Sequence, residues 1–397
     1  MKRIVGACNT KENAPEIAII AIPMPTTPGP LLPPLMNPLE SQLDYPFADN
    51  LPAPATLIQV APGVYWLRMG LPFALNHINL WLLEDEMAGD AGPVKGWTIV
   101  DCGIANDATR AAWESIFANQ LRGLPVLRVI ATHFHPDHLG LADWLCRRWQ
   151  APLWMSAGEY AFARMMHAKL PGVADAAMFP HLQRHGMQDS AMPALLDARK
   201  NYYPSLVPAV PESYIRLQDG QVLPIGGRDW RVITGFGHAP EHVALHCDSL
   251  GVLISGDMVL PRISTNVSVF PIEPQANPVQ LYLDSLGKYD ALAAETLVLP
   301  SHGKPFRGLH VRINQLREHH AERLAEVLEA CREAPRSAAD IVPIMFRRAL
   351  DAHQLTFALG EALAHLHQLW LAGHLRRLQG ADGVFRFTLA APEAENL

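Results

Sequence analysis

Histidine, aspartate and glycine are concentrated in five short segments that lie far apart in the 397-residue chain. In each segment the polar side chains stand beside glycine or another small residue, at the predicted end of an apolar strand. The chain must therefore fold so that several strand ends meet at one point. The segments are ATHFHPDHLG (131–140), TGFGHAPEH (234–242), LISGDMV (253–259), LPSHGKPF (299–306) and TIVDCG (98–103).

The spacing within residues 131–140 suits the coordination of metal ions. Alternate side chains of an extended segment point the same way, so His133 and His135 can hold one ion. Asp137 and His138 follow a turn at Pro136 and can reach a second ion. Imidazoles and carboxylates are borderline to hard ligands, so zinc is the first choice, followed by iron or manganese. The later segments add further candidate ligands: His238, Asp257 and His302.

These candidates are numerous enough for a dinuclear site. Three unshared ligands for each ion would leave each ion an open position. A carboxylate such as Asp257 can use both oxygens and bridge ions about 3.5–4 Å apart, with room for a hydroxide between them. The sequence therefore predicts two Zn²⁺ per chain.

The order and spacing of the motifs resemble those of the metallo-β-lactamase superfamily, over residues 56–324. The resemblance implies that Asp257 bridges the two metals and that Asp101 orients the site from outside the ligand set. It implies the remaining ligands as two groups: His133, His135 and His238 on the first metal, and Asp137, His138 and His302 on the second.

Two positions narrow the branch of the family. Antibiotic-hydrolysing members carry Cys or Ser where this chain has Asp257, whereas glyoxalase-II-like thioesterases, lactonases, phosphodiesterases and nucleases carry Asp. The diiron redox branch has Glu where His135 stands, which disfavours that branch too. A mononuclear iron dioxygenase that binds persulfides shares much of the pattern and remains an alternative.

The order of strands and helices predicts an α+β fold with four layers, αββα, and the site at the rim where strands end. Three regions are expected. A proline-rich N-terminal extension covers residues 1–54 and the catalytic domain covers residues 55–330. A small winged-helix-like domain of two helices and a β-hairpin covers residues 335–390.

A helical insertion at residues 156–211 interrupts the catalytic domain. In the family fold a segment here overhangs the metals, so the insertion is the leading candidate for substrate selection. Packing within the insertion is the more ordinary role for any one of its side chains. The candidate lining residues are Tyr202, Tyr203, Met165 and Met166.

Four other histidines receive separate predictions. His242 matches a family histidine that supports the site without binding metal. His77 is expected to serve an ordinary turn, with a place near the metal rim as the alternative. His319 and His320 lie on a long polar helix and are expected to face solvent.

Two functions follow as expectations. The first is hydrolysis of a small acyl substrate, a thioester or lactone, by a dinuclear zinc site with a bridging hydroxide, in which Asp137 or Asp257 relays the proton to the leaving group. The alternative is a phosphodiesterase or endoribonuclease that holds RNA on the C-terminal domain. That domain resembles one found in lactamase-beta-like endoribonucleases, but residues 335–397 contain six arginines and six acids. Balanced charge is unfavourable for phosphate binding, so packing or a homodimer contact is the expected role.

Composition gives the remaining expectations. The net charge of −7 provides no general attraction for nucleic acid or anionic membranes. No apolar run approaches the roughly 20 residues that span a bilayer. The five cysteines are widely spaced and include no CxxC pair, which is typical of reduced thiols in a cytoplasmic protein.

Overall fold

The computed structural model of the protein describes residues 39–73, 75–89, 92–173, 175–187 and 201–390, which belong to one compact unit. Residues 1–38 of the predicted extension, which covers residues 1–54, lie outside the described residues. Part of the predicted insertion, residues 188–200, also lies outside them.

The first sheet is mixed, with an antiparallel start and a parallel end. Its central strands are buried on both faces, which explains their nearly continuous apolar sequences. In order across the sheet, its strands are β1 (Ile58–Ala61), β2 (Val64–Gly70), β3 (His77–Gly89), β4 (Gly92–Val100), β5 (Val126–Ile130), β6 (Leu153–Ser156) and β7 (Ile215–Leu217).

The second sheet contains the later metal motifs. Only its β11–β12 pair is parallel; its other neighbours are antiparallel. From one edge to the other, its strands are β12 (Leu297–Pro300), β11 (Val252–Gly256), β10 (His242–Cys247), β9 (Arg228–Gly235) and β8 (Val222–Ile225). The order of the strands along the sequence predicts that the YIRLQDG segment (214–220) belongs to this second set of strands, and that prediction was wrong. The strand in YIRLQDG is β7, which pairs in parallel with β6 of the first sheet rather than with β8.

Helices cover the outer faces of both sheets. The helices up to the middle of the chain are α1 (Asp107–Asn119), α2 (Pro136–Leu139), α3 (Ala142–Trp149), α4 (Ala157–His167), α5 (Asp175–Arg184) and α6 (Tyr202–Leu206). Those after the second sheet begins are α7 (Pro278–Gly287), α8 (Leu309–Glu333), α9 (Ala338–Met345) and α10 (Ala352–Leu371).

Three apolar clusters fill the space between these layers. One joins the first sheet to α1, α3 and α4, for example through Trp113 and Leu145. A second lies between the sheets and includes Trp81 and Trp230. The third joins the second sheet to α7, α8 and α10. The αββα prediction is therefore confirmed.

The C-terminal segment follows the predicted order of two helices and a hairpin. Ser337 caps α9 in a capping box with Asp340. The hairpin pairs β13 (Leu375–Gln379) with β14 (Phe385–Leu389). Buried side chains of α10 and β14 belong to the same apolar cluster as the second sheet, so the described part of this segment shares its core with that sheet.

The environment of the long helix differs from the expectation for His320. His320 is fully buried on α8, and its Nδ1 lies 3.1 Å from Nε2 of His365 on α10. The prediction that it faces solvent was wrong because α10 covers this face of α8. No helix in the described ranges is long and apolar enough to cross a membrane.

Candidate metal centre

The predicted site residues lie at one edge of the two sheets. Asp101 follows β4, the 131–140 segment follows β5, His238 follows β9, Asp257 follows β11 and His302 follows β12. Neighbouring strands β4 and β5 are parallel, as are β11 and β12, so their carboxyl ends meet at the same edge. The fold therefore gathers side chains that are far apart in sequence.

Local backbone features direct these side chains. Pro136 occupies the first position of the short helix α2, where its missing N–H costs nothing, so Asp137 and His138 follow a sharp turn from His135. Gly256 has φ +53°, and a Cβ there would overlap the His242 ring. The turn that carries Asp257 consequently requires glycine.

The seven predicted ligands form two groups, and within each group the candidate ligand atoms all lie within 4.8 Å of one another. The pairs that define the groups are close: His133 Nε2 lies 2.8 Å from His135 Nδ1 and 3.3 Å from His238 Nε2. In the second group, His302 Nε2 lies 3.4 Å from Asp137 Oδ2. The first group is His133, His135, His238 and Asp257, and the second is Asp137, His138 and His302.

Asp257 stands between the two groups. Its Oδ2 lies 3.4 Å from His238 Nε2. Its Oδ1 lies 3.6 Å from His138 Nε2 and 3.5 Å from His302 Nε2. One carboxylate therefore presents a different oxygen to each group of histidines.

Three of the candidate ligand histidines are oriented through Nδ1, which lets Nε2 face the site. His138 Nδ1 donates to Asp101 Oδ2 at 2.8 Å. His302 Nδ1 donates to the backbone oxygen of His77, also at 2.8 Å. His238 Nδ1 donates to the backbone oxygen of Asn266 at 2.8 Å.

Burial and neighbouring charges set the protonation of these groups. Burial holds the pKa of His133 and of His135 well below its usual range, which keeps both imidazoles neutral. Burial also disfavours charge on His138, but Asp101, Asp137 and Asp257 outweigh it and raise the pKa of His138 to about 10. A cation that binds His138 must therefore displace a proton.

The carboxylate between the groups responds in the opposite sense. Burial alone would raise the pKa of Asp257, but the adjacent His302 and His138 hold it well below its usual range. Asp257 therefore remains an anion inside the site, as a metal ligand must.

The site fits a divalent cation on its own geometry. His138 Nε2 and Asp257 Oδ1 are buried, and neither has a hydrogen-bond partner among the described residues. Buried polar atoms without partners are rare in proteins and point to a bound ion or water. The neutral imidazoles and the ionised carboxylate form a nitrogen and oxygen donor set that suits zinc, iron or manganese.

Two further histidines support the site without joining either group. His242 Nε2 accepts a hydrogen bond from the Asp257 amide at 3.1 Å, which is the supporting role expected for it. His77 Nε2 accepts from the Gly303 amide at 2.9 Å, beside His302. His77 therefore lies at the metal rim, which was the less expected of its two predicted positions.

The insertion contributes contacts that the sequence did not reveal. Tyr203 is buried, and its hydroxyl donates to the backbone oxygen of Phe134, which lies between two candidate ligands in the sequence. Met165 and Met166 are half-buried against the apolar cluster of the first sheet. These three side chains therefore follow the packing alternative.

Glu159 is a buried residue beside the site that the sequence did not reveal. Its fully buried carboxylate accepts from the Phe134 amide at 2.9 Å and from the Glu241 amide at 2.6 Å, so it ties the His133–His135 segment to the His238 segment. Burial raises the pKa of Glu159 to about 8, against the effect of these two amides. A glutamate within a helical pattern carries no sequence signal for such a contact.

Comparison with known proteins agrees with the fold. Residues 81–302 match the metallo-beta-lactamase superfamily, and residues 324–390 match a metallo-beta-lactamase-like C-terminal domain. The chain is 23% identical over 333 residues to the probable metallo-hydrolase YqjP of Bacillus subtilis, covering 76% of this chain and 91% of the relative.

Solved structures extend the likeness. A beta-lactamase domain protein from Burkholderia ambifaria is 61% identical with a TM-score of 0.83, covering 89% of this chain and all of that one. A metallo-beta-lactamase family protein from Thermus thermophilus is 27% identical with a TM-score of 0.68, covering 83% of this chain and all of that one. With its His/Asp metal-binding cluster, the chain belongs to the metallo-β-lactamase superfamily and is a metal-dependent hydrolase.

Proposed function

We propose that the chain hydrolyses a small acyl substrate, a thioester or a lactone, with two zinc ions held by the seven ligands. The observation that carries the dinuclear part is the placement of Asp257, which faces one histidine group with Oδ2 and the other with Oδ1. A carboxylate in that position is the natural bridge between two ions. Bound there, the ions would lower the pKa of water and polarise the scissile carbonyl.

The residues of the chain supply the other steps. Asp101, His77 and Asn266 fix the ligand rings through Nδ1, so little reorganisation is needed when substrate binds. Both oxygens of Asp257 are turned towards ligand histidines. The Asp137 side chain is the more exposed of the two carboxylates at 18%. Asp137 is therefore the better placed to take up the proton of the attacking water and pass it to the leaving group.

The acyl class is supported first by the identity of residue 257. Asp at this position is typical of thioesterases and lactonases of the family, and it disfavours antibiotic hydrolysis. Phosphodiesterases also carry Asp here, so the charges of the C-terminal segment are needed to choose between them.

The arginines of that segment are largely engaged. Arg386 pairs with Asp382 at 2.7 Å, and the Arg377 guanidinium lies 4.1 Å from the centre of the Trp370 ring. Arg347 lies 3.4 Å from Glu326. Arg347 and Arg386, which are paired with carboxylates, add little net attraction for a phosphate backbone, and the six arginines of residues 335–397 are balanced by six acids; this favours the small acyl substrate over RNA.

The test is a zinc-reconstituted preparation assayed in parallel on thioesters, lactones, simple phosphodiesters and short RNAs. We expect zinc-dependent turnover of a thioester or lactone, and none of RNA. RNA cleavage that weakens steeply with salt would contradict the acyl proposal and favour the endoribonuclease alternative. Oxygen consumption with a persulfide and iron would instead favour the dioxygenase alternative.

A further inference from the structure

A loop at residues 264–269, which we call the support loop, lies between the metal centre and helix α10. Its inner side touches two ligands. The Thr265 hydroxyl donates to the backbone oxygen of Asp257, and the Asn266 backbone oxygen accepts from His238 Nδ1 at 2.8 Å. A shift of this loop would therefore turn the His238 ring and move the Asp257 backbone.

The outer side of the support loop is held by α10. The side-chain nitrogen Nδ2 of Asn266 donates to Glu361 Oε2 at 3.4 Å. The side-chain oxygen Oδ1 of Asn266 accepts from the Ser268 hydroxyl at 2.9 Å. At Gly360 a Cβ would lie 2.5 Å from Ser268 Oγ, so the helix backbone itself rests against the loop. Glycine at this position permits the close approach.

Apolar packing reinforces these polar contacts. Val267 and Val269 of the support loop are buried, and they belong to the same cluster as Leu359 and Ala362 of α10. The two residues that flank Gly360 and Glu361 are thus fixed in the core. The position of the Glu361 carboxyl relative to Asn266 is accordingly well defined.

Burial of the Glu361 carboxyl is energetically unfavourable. Its side chain is 8% exposed, and burial raises the pKa of its carboxyl to about 7, against the Asn266 hydrogen bond and the charge of Arg323. A buried carboxyl destabilises a core unless it makes compensating hydrogen bonds. The hydrogen bond between Glu361 and Asn266 connects this buried carboxyl to the residue that contacts His238.

We propose that Glu361 is a positioning residue for the metal centre and that it acts through Asn266 on His238. The C-terminal segment would then complete the metal site, in addition to covering the second sheet. The proposal rests on the metal centre of the proposed function but is independent of the substrate class. Partners that orient metal ligands typically contribute 10–100-fold to metal affinity. Glu361 is one contact further out, so we expect about 10-fold.

The test compares Glu361→Leu with Glu361→Gln in the full-length protein, by zinc affinity in competition with a chelator and by the absorption spectrum of the cobalt(II)-loaded protein. Leucine removes the acceptor while nearly keeping the volume, whereas glutamine retains an acceptor oxygen for Asn266. We expect about 10-fold weaker zinc binding and an altered cobalt spectrum for the leucine variant. The glutamine variant should remain within about 3-fold of the parent.

Gln368→Leu is the matched control. Gln368 also lies on α10 and donates to Gln280 Oε1 at 2.8 Å, away from the ligands. The Gln368→Leu variant should be less thermally stable than the parent protein but should have the same zinc affinity and the same cobalt spectrum. Equal losses of zinc affinity in the Gln368 and Glu361 leucine variants would overturn the proposal in favour of general docking of α10.

A second variant keeps the proposal testable if Glu361→Leu does not fold. Asn266→Ala retains the backbone oxygen that His238 uses but removes the side chain that Glu361 holds, so it should reproduce the loss of zinc affinity. An unchanged cobalt spectrum in this variant would also overturn the proposal. Neither measurement needs a substrate, so a failure of the parent protein to hydrolyse thioesters or lactones would count against the proposed function alone.

Discussion

Asp101 and His138 form a fully buried pair, joined by a hydrogen bond of 2.8 Å from His138 Nδ1 to Asp101 Oδ2. The other carboxylate oxygen of Asp101 accepts from the Thr132 amide at 2.8 Å. Asp101 also has φ +63°, in the left-handed region that a non-glycine residue rarely adopts. Such strain persists only where the surroundings hold it, and here it aims the carboxylate at a ligand of the second group.

The first prediction concerns this pair. Asp101→Asn should weaken zinc binding by about 10–100-fold, because the amide cannot accept from His138 and Thr132 as the carboxylate does. The measurement is chelator competition at neutral pH.

Asp85→Asn is the matched control for a buried aspartate away from the ligands. Asp85 pairs with Arg128 at 2.9 Å, and both side chains are buried. Its substitution should lower the free energy of unfolding, by up to about 3–5 kcal/mol, without weakening zinc binding in the folded protein. Equal effects of the two substitutions on zinc affinity would contradict a specific role for Asp101.

The second prediction tests the second ligand group. His302→Ala should leave one ion per chain and reduce turnover by at least about 10²-fold, because a second ion supplies several kcal/mol of charge stabilisation. Metal analysis and turnover are measured on the same preparation. The exposed His374, replaced by alanine, serves as the control and should change neither value. Unchanged turnover in His302→Ala would refute the dinuclear mechanism.

The third prediction tests whether Tyr203 of the insertion binds substrate or only packs against the site. Tyr203→Phe removes only the hydroxyl that donates to Phe134, at 2.7 Å. We expect a loss of roughly 1 kcal/mol in the free energy of unfolding and an unchanged KM. Chemical denaturation and steady-state kinetics give the two values. A KM change without a stability change would restore the role in substrate selection that the sequence suggested.

The fourth prediction follows from the titration of Glu361. Burial raises its pKa from 4.5 to about 7, so the folded state binds the proton more tightly than the unfolded chain. This contribution to stability is fully present below pH 4.5 and is lost as the pH rises to about 7. Of the neighbouring groups, Arg323 favours the anion, and burial keeps His365 neutral by lowering its pKa to about 4.

Glu361→Gln should therefore become progressively more stable relative to the parent protein between pH 4.5 and 7. The expected change in the difference of unfolding free energy is up to about 3 kcal/mol. Urea denaturation of both proteins across this pH range gives the difference directly. A difference that is independent of pH would show that Glu361 does not titrate in this window.

Much of the site was predictable because metal ligands leave a dense local signal. His133, His135, Asp137 and His138 lie within six residues, and proline and glycine mark the turns that present them. Strand order then required the remaining ligands to meet them at one edge. The assignment of metals to each ligand group and the substrate class remain predictions.

The surrounding support was not predictable in the same way. Glu159 and Glu361 lie in helices, where a glutamate ordinarily faces solvent, and only the packing of distant segments buries them. His320 was mistaken for a solvated residue for the same reason, since α8 is polar in sequence and α10 covers it. The short strand β7 was assigned to the wrong sheet because local sequence does not specify the partner of a strand.

The most direct test of a dinuclear zinc hydrolase is a titration of the metal-free protein with zinc, followed by thioester or lactone turnover after each addition. Turnover should rise until two equivalents per chain have bound and should then remain constant, because both ligand groups are needed. Saturation at one equivalent, or turnover that does not depend on zinc, would contradict the account.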